Sequence, residues 1–122
     1  MVRKTRRIEG PAGPEEVAMA KLPSAYTKFS RTFPKVARVY EQLGEAAAAA
    51  GPLNQRTVHL VKLGIAMGAR SEGAVHSHAR RALAAGATPA QIRHVAALAV
   101  PTLGFPATVA AFTWIEDVLR RR

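Results

Sequence analysis

SEGAVHSHARRALAAGATPAQI, residues 71–92, carries the strongest fold signal in the chain. Ser71 offers a short side-chain oxygen that can accept from the unpaired backbone N–H groups of a helix start. The residues after it favour helix as far as Ala85, and Gly86 supplies a stop that tolerates the left-handed conformation of many helix ends. Thr88-Pro89 then opens a second helix. Threonine caps, and proline has no N–H to lose in a first turn and a φ that is already helical. Ile92, Val95, Ala96 and Ala99 follow at helical spacing.

The same punctuation extends in both directions. Upstream, Asn54 can cap a helix whose Val58, Val61, Ile65 and Gly68 form one stripe flanked by Leu60, Leu63, Gly64 and Met67. An apolar arc that wide predicts a mostly buried helix. Before it, Gly51-Pro52 ends a helix that begins at Pro34 and carries Val36, Val39, Tyr40 and Leu43. Ser24 can cap a short helix to about Thr32. Downstream, Pro101 and the turn Gly104-Phe105-Pro106 end the Thr88 helix. Pro106 opens a last one with Val109, Phe112, Trp114, Ile115 and Val118. No segment alternates with period two, so six helices with short connections predict an all-α bundle. Residues 1–21 read as an irregular basic lead broken by Gly10-Pro11 and Gly13-Pro14, with a short helical turn from Glu15 to Lys21; residues 22–122 read as the helical domain.

A chain of 122 residues suits one domain with a small core, and 48% apolar content argues for a folded protein rather than a disordered one. Much of that content is alanine, which favours closely packed helices. There is no cysteine, which excludes disulfides, thiolate metal sites and catalytic thiols within the chain. The net charge of +10 raises the question of nucleic acid, but much of it lies at the two ends, in Arg3 to Arg7 and Arg120 to Arg122. Terminal basic runs are usually solvated, and no helix carries a basic stripe with interleaved aromatics, so a nucleic-acid partner is not expected. Ile8-Glu9-Gly10-Pro11 stands where a signal peptide needs an apolar run, and no stretch reaches the length of a membrane span. A cytoplasmic protein is expected.

Gly51-Pro52-Leu53, then Gly64 to Arg70, then residues 71–92 and the turn Gly104-Phe105-Pro106, in that order, resemble the carboxymuconolactone decarboxylase and alkylhydroperoxidase D (AhpD-like) superfamily. The likeness runs from about Leu22 to Leu119. It implies an all-helical, AhpD-like fold and obligate homo-oligomers, typically a homo-trimer or hexamer. One branch of that superfamily reduces peroxides through a C-x-x-C-x-x-x-H element. The other resembles the decarboxylase of aromatic-acid breakdown, which acts on a small acidic lactone without those cysteines. In register, the first cysteine falls on Ser71, the second on Ala74 and the histidine on His78. A family acidic position on the preceding helix falls on His59, and another on the following helix falls on His94. The motif histidine is kept, both sulfurs are lost, and imidazoles stand in for carboxylates. A cysteine at a helix N-terminus owes its reactive thiolate to the backbone amides and the dipole; serine there has a far higher pKa and no redox chemistry, and alanine cannot form a disulfide.

The candidate residues follow from this register. His78 is either a general acid or base or a core or interface histidine tied to a carbonyl. His59, among apolar residues, is either structural or the neighbour of His78; facing each other, the two could share a proton, bind an anion or hold a metal. A Ser71–His78 dyad is disfavoured, since seven residues separate them by about 10 Å along a helix, although Ser71 could reach His59 across helices. Glu72 and His76, four apart, suit a surface pair. His76 and His78 diverge on a helix and cannot share an ion. A metal held by His59, His78 and His94 would need three helices to converge, so no cofactor is expected. Ser71, Glu72, Arg70 and Phe105 are candidates for substrate contact, and Arg80 and Arg81 for attracting a carboxylate. Trp114 reads as a core or interface anchor.

The leading expectation is therefore a lyase-like acid–base enzyme acting on a small acidic molecule, with His78 and His59 catalytic. The alternatives are a non-catalytic binding or assembly protein on the same scaffold, or a peroxidase-type ancestry whose activity this chain has lost.

Overall fold

A computed structural model describes residues 24–121, with six helices and no strand among them. They are α1 Ser24–Thr32, α2 Pro34–Ala48, α3 Gln55–Gly68, α4 Glu72–Ala84, α5 Pro89–Leu103 and α6 Phe105–Leu119. The basic lead, including the turn expected from Glu15 to Lys21, lies outside the described residues.

The caps sit where their side chains require. Asn54 Oδ1 accepts from Thr57 N at 2.8 Å, and Ser71 Oγ from Ala74 N at 3.3 Å. Thr88 and Gln91 form a reciprocal capping box: Thr88 Oγ1 accepts from Gln91 N at 3.1 Å and Gln91 Oε1 from Thr88 N at 3.0 Å. Between α3 and α4 the turn closes on Arg70, whose φ of 55° lies in the left-handed region, with Ser71 N donating to Ala66 O at 3.1 Å. That geometry usually selects glycine. Here an arginine holds it, and the reversal lets α4 run back along α3.

α3 to α6 form the core. The main contacts are α3 with α4, α5 with α6, α4 with α6 and α3 with α5. Leu63, Met67, Val75, Ile92 and Ile115 are fully buried, with Ala66, Ala79, Ala82, Ala96 and Ala111 between them. The small alanines let helix axes approach, so that the few large side chains can fill the space between. Trp114 packs against this cluster from its edge, partly buried.

Two expectations are corrected. Pro101 does not end its helix: α5 runs through it to Leu103 and stops at Gly104, φ 89°. Proline so close to the C-terminus removes only one intrahelical bond. Nor is α3 mostly buried. Val61 is 48% exposed and Ile65 65%, because α4 and α5 cover only one side of its apolar arc.

α1 and α2 pack chiefly on each other, and none of the main helix contacts joins them to α3–α6. Of α2 only Ala37 is buried, and Val36, Val39, Tyr40 and Leu43 stand exposed in one stripe.

Candidate functional site

His59 on α3 and His78 on α4 face each other across the most extensive helix–helix contact among the described residues. Their Nδ1 atoms are 3.3 Å apart, and the rings lie 5.5 Å between centroids at an interplanar angle of 27°. Both rings are partly buried. Burial is the largest influence on both and pushes each from the ordinary 6.5 down to about 4, since a charged ring loses hydration there. The cations of Arg81 and Lys62 press the same way on both, and His59 does so on His78. At neutral pH the site is therefore two uncharged imidazoles beside two positive charges.

Arg81 is held in place by its own helix, donating from Nε to Ser77 Oγ at 3.1 Å. Its field also reaches the Tyr26 phenol of α1, lowering a pKa that the hydrogen bond to Glu41 raises. Tyr26 donates to Glu41 Oε2 at 2.6 Å. The α1–α2 hairpin thus brings a phenol, with the carboxylate it donates to, within the field of Arg81.

The other sequence candidates fall elsewhere. His94 is exposed on α5, and the three-histidine metal site does not assemble: the group of three metal-type ligands found among the described residues is Glu72, His76 and Asp117, with atoms within 4.8 Å of one another. His76 pairs with Asp117 of α6, Nε2 to Oδ2 at 3.1 Å, and holds that carboxyl below its usual range; Arg120 donates to its other oxygen at 3.1 Å. Asp117 as a partner for His76 has no signal in local sequence, because α6 reaches α4 only through the tertiary fold. Ser71 Oγ caps α4, Glu72 and Arg70 are exposed, and Phe105 is 68% exposed at the start of α6. None of these four hydrogen-bonds to either imidazole of the pair among the described residues. Arg80 reads from sequence as a charge that could attract a carboxylate, but it is only 6% exposed, and its Nη2 is buried without a hydrogen-bond partner among the described residues. Lys62, by contrast, was not among the sequence candidates, although three residues after His59 is one helical turn.

A shallow apolar hollow of about 220 Å³ lies between α3 and α5, lined by Gly64, Val95, Leu98, Ala99, Thr102 and Leu103. Neither imidazole lines it, and it is smaller than most small-molecule sites.

The carboxymuconolactone decarboxylase family model matches residues 34–117, well over half of the chain. The chain belongs to the carboxymuconolactone decarboxylase family. No curated protein and no solved structure matches it. Within the carboxymuconolactone decarboxylase family this is a member without cysteine, so the thiol route to peroxide reduction is closed to it. No helix among its described residues is long and apolar enough to cross a membrane.

The depressed histidines make the stability of this family member pH-dependent in a defined direction. Unfolded, the rings titrate near 6.5; folded, near 4. Between those values the unfolded chain holds more protons, so stability falls as pH drops through that window and is level above it. A shift of this size on a sealed ring corresponds to about 3 kcal/mol. Water screens these half-open rings, which leaves about 1 kcal/mol each. Urea unfolding across the window should show the midpoint falling with acid, and His59→Gln with His78→Gln should flatten the fall. An equally steep fall in the double variant would assign the acid sensitivity to other groups.

Proposed function

We propose that the protein performs lyase-like acid–base chemistry on a small carboxylated molecule, with His78 as the acid or base and His59 assisting it. The observation that carries this reading is the 3.3 Å contact between the two Nδ1 atoms, flanked by Lys62 and Arg81. Neutral imidazoles are competent bases at neutral pH. The two cations supply what a carboxylate would seek, and arginine can bind one through two parallel hydrogen bonds. Charge of that sign beside uncharged rings attracts the substrate without neutralising the base.

The test is a titration of the labelled protein with small mono- and dicarboxylates, followed by nuclear magnetic resonance. Carboxylates should shift the His59 and His78 ring signals, and Lys62→Gln with Arg81→Gln should weaken binding about tenfold or more, as expected when charge-assisted hydrogen bonds are lost. Ring signals indifferent to every carboxylate would remove the substrate class.

The exposed apolar stripe on α2 favours a second reading: a binding or assembly role on the same scaffold. A contiguous apolar face of this kind is typical of a surface that meets another protein. A homo-oligomer, trimer or hexamer, would cover it and is compatible with either reading.

A further inference from the structure

Two imidazole nitrogens do not rest 3.3 Å apart with a lone pair on both or a proton on both; one N–H points at one lone pair. A neutral imidazole carries a single N–H. The ring that donates from Nδ1 therefore has a bare lone pair on Nε2, and the ring that accepts at Nδ1 carries its proton on Nε2. Neither Nε2 has a hydrogen-bond partner among the described residues.

We propose that His59 and His78 act as one tautomer-coupled unit, presenting a base at one Nε2 and an acid at the other, and that its reaction is a proton shift between two positions of one carboxylated substrate. This rests on the acid–base part of the reading above and departs from its lyase-like outcome: the reaction is an allylic or keto–enol transposition, which cleaves no carbon–carbon bond. In the step, the bare Nε2 takes a proton from a substrate C–H, and the electrons of that bond become a new π bond. The Nδ1 proton of the same ring crosses to Nδ1 of its neighbour. The neighbour releases its Nε2 proton to the far end of the substrate, where the old π electrons form the new bond to hydrogen. No net charge remains on either ring, and no co-reactant is consumed. The rings finish with their tautomers exchanged, and proton exchange with water at the two Nε2 atoms restores the starting state.

The surroundings favour this over a lone histidine. A single ring acting as base must become imidazolium next to Lys62 of α3 and Arg81 of α4, with the Tyr26 phenol of α1, which donates to the Glu41 carboxylate of α2, within the field of Arg81. Burial and both cations already oppose that charge. A coupled pair moves the proton on without holding it.

The experiment is a two-bond proton–nitrogen correlation spectrum of the nitrogen-labelled protein at neutral pH. The expected result is complementary rings, one with a pyrrole-type Nδ1 and the other with a pyrrole-type Nε2, or averaged shifts on all four nitrogens if the proton crosses rapidly. His59→Leu should return His78 to the Nε2–H form that predominates in water; if that variant fails to fold, the wild-type spectrum decides alone. Two Nε2–H rings, or a protonated ring at neutral pH, would overturn the coupling. Loss of the complementary pattern with carboxylate-induced shifts intact would leave single-histidine chemistry standing. The complementary pattern without any carboxylate response would overturn the substrate class assigned to the pair.

Discussion

Replacing His78 by alanine is expected to lower turnover by about 10²- to 10⁴-fold, the usual worth of a positioned general acid or base, while the helices stay intact. Alanine is the best helix former, so α4 loses nothing in propensity. The ring is partly buried and stands outside the core cluster of Leu63, Met67, Val75 and Ile115, so its removal opens no cavity there. What it does remove is the partner of His59 Nδ1. His59→Ala should therefore lower turnover similarly, and the double variant little further, as the proposed coupling of the pair requires. Steady-state kinetics with circular dichroism on the same samples separates lost chemistry from lost fold. Unchanged turnover in folded His78→Ala would take His78 out of the mechanism.

The largest loss of stability is expected from Leu63→Ala. Leu63 is fully buried on α3. Its neighbours in the core cluster include Ala66 and Ala79, which cannot lengthen to fill a gap. Truncations of this kind cost about 2–5 kcal/mol, a large share of the roughly 5–15 kcal/mol that holds a typical domain folded. For a body of this size the melting temperature should fall by about 4–8 °C per kcal/mol. Ile65→Ala is the matched control: it is the same kind of change two residues along the helix, at a position 65% exposed. In an isolated chain its effect should stay within about 0.5 kcal/mol. A loss rivalling that of Leu63→Ala would mean that another copy covers this face. Equal stability of Leu63→Ala and the wild type would contradict the packing described for α3 and α4.

The boundaries of the fold were legible because they are written in local chemistry. Asn54, Ser71 and Thr88 cap from their own side chains, and Gly86 and Gly104 take up positive φ at helix ends. Pro101 misled because its sequence signal is the same whether it breaks a helix or rides in its last turns. The stripe on α3 misled for a different reason: periodicity shows that a face is apolar and leaves open whether the same chain covers it. The meeting of His59 and His78 was legible only through the family register, which places both on facing positions of successive helices. The partners that come from remote elements were not legible at all. Asp117 reaches His76 only after α6 docks on α4, and Arg80 looks like any surface arginine until the packing of α4 encloses it.

The loose seating of α1 and α2 sets an order of local stabilities. Two helices of 9 and 15 residues that rest mainly on each other have little to hold them once thermal motion separates them from the body, since isolated helices of up to about 15 residues are marginal in water. Their backbone amides should exchange with solvent sooner than those of α3 to α6, and the Tyr26–Glu41 pair travels with them. The segment whose phenol feels the Arg81 charge should thus be the first part of the described chain to open, while the alanine-rich core stays closed.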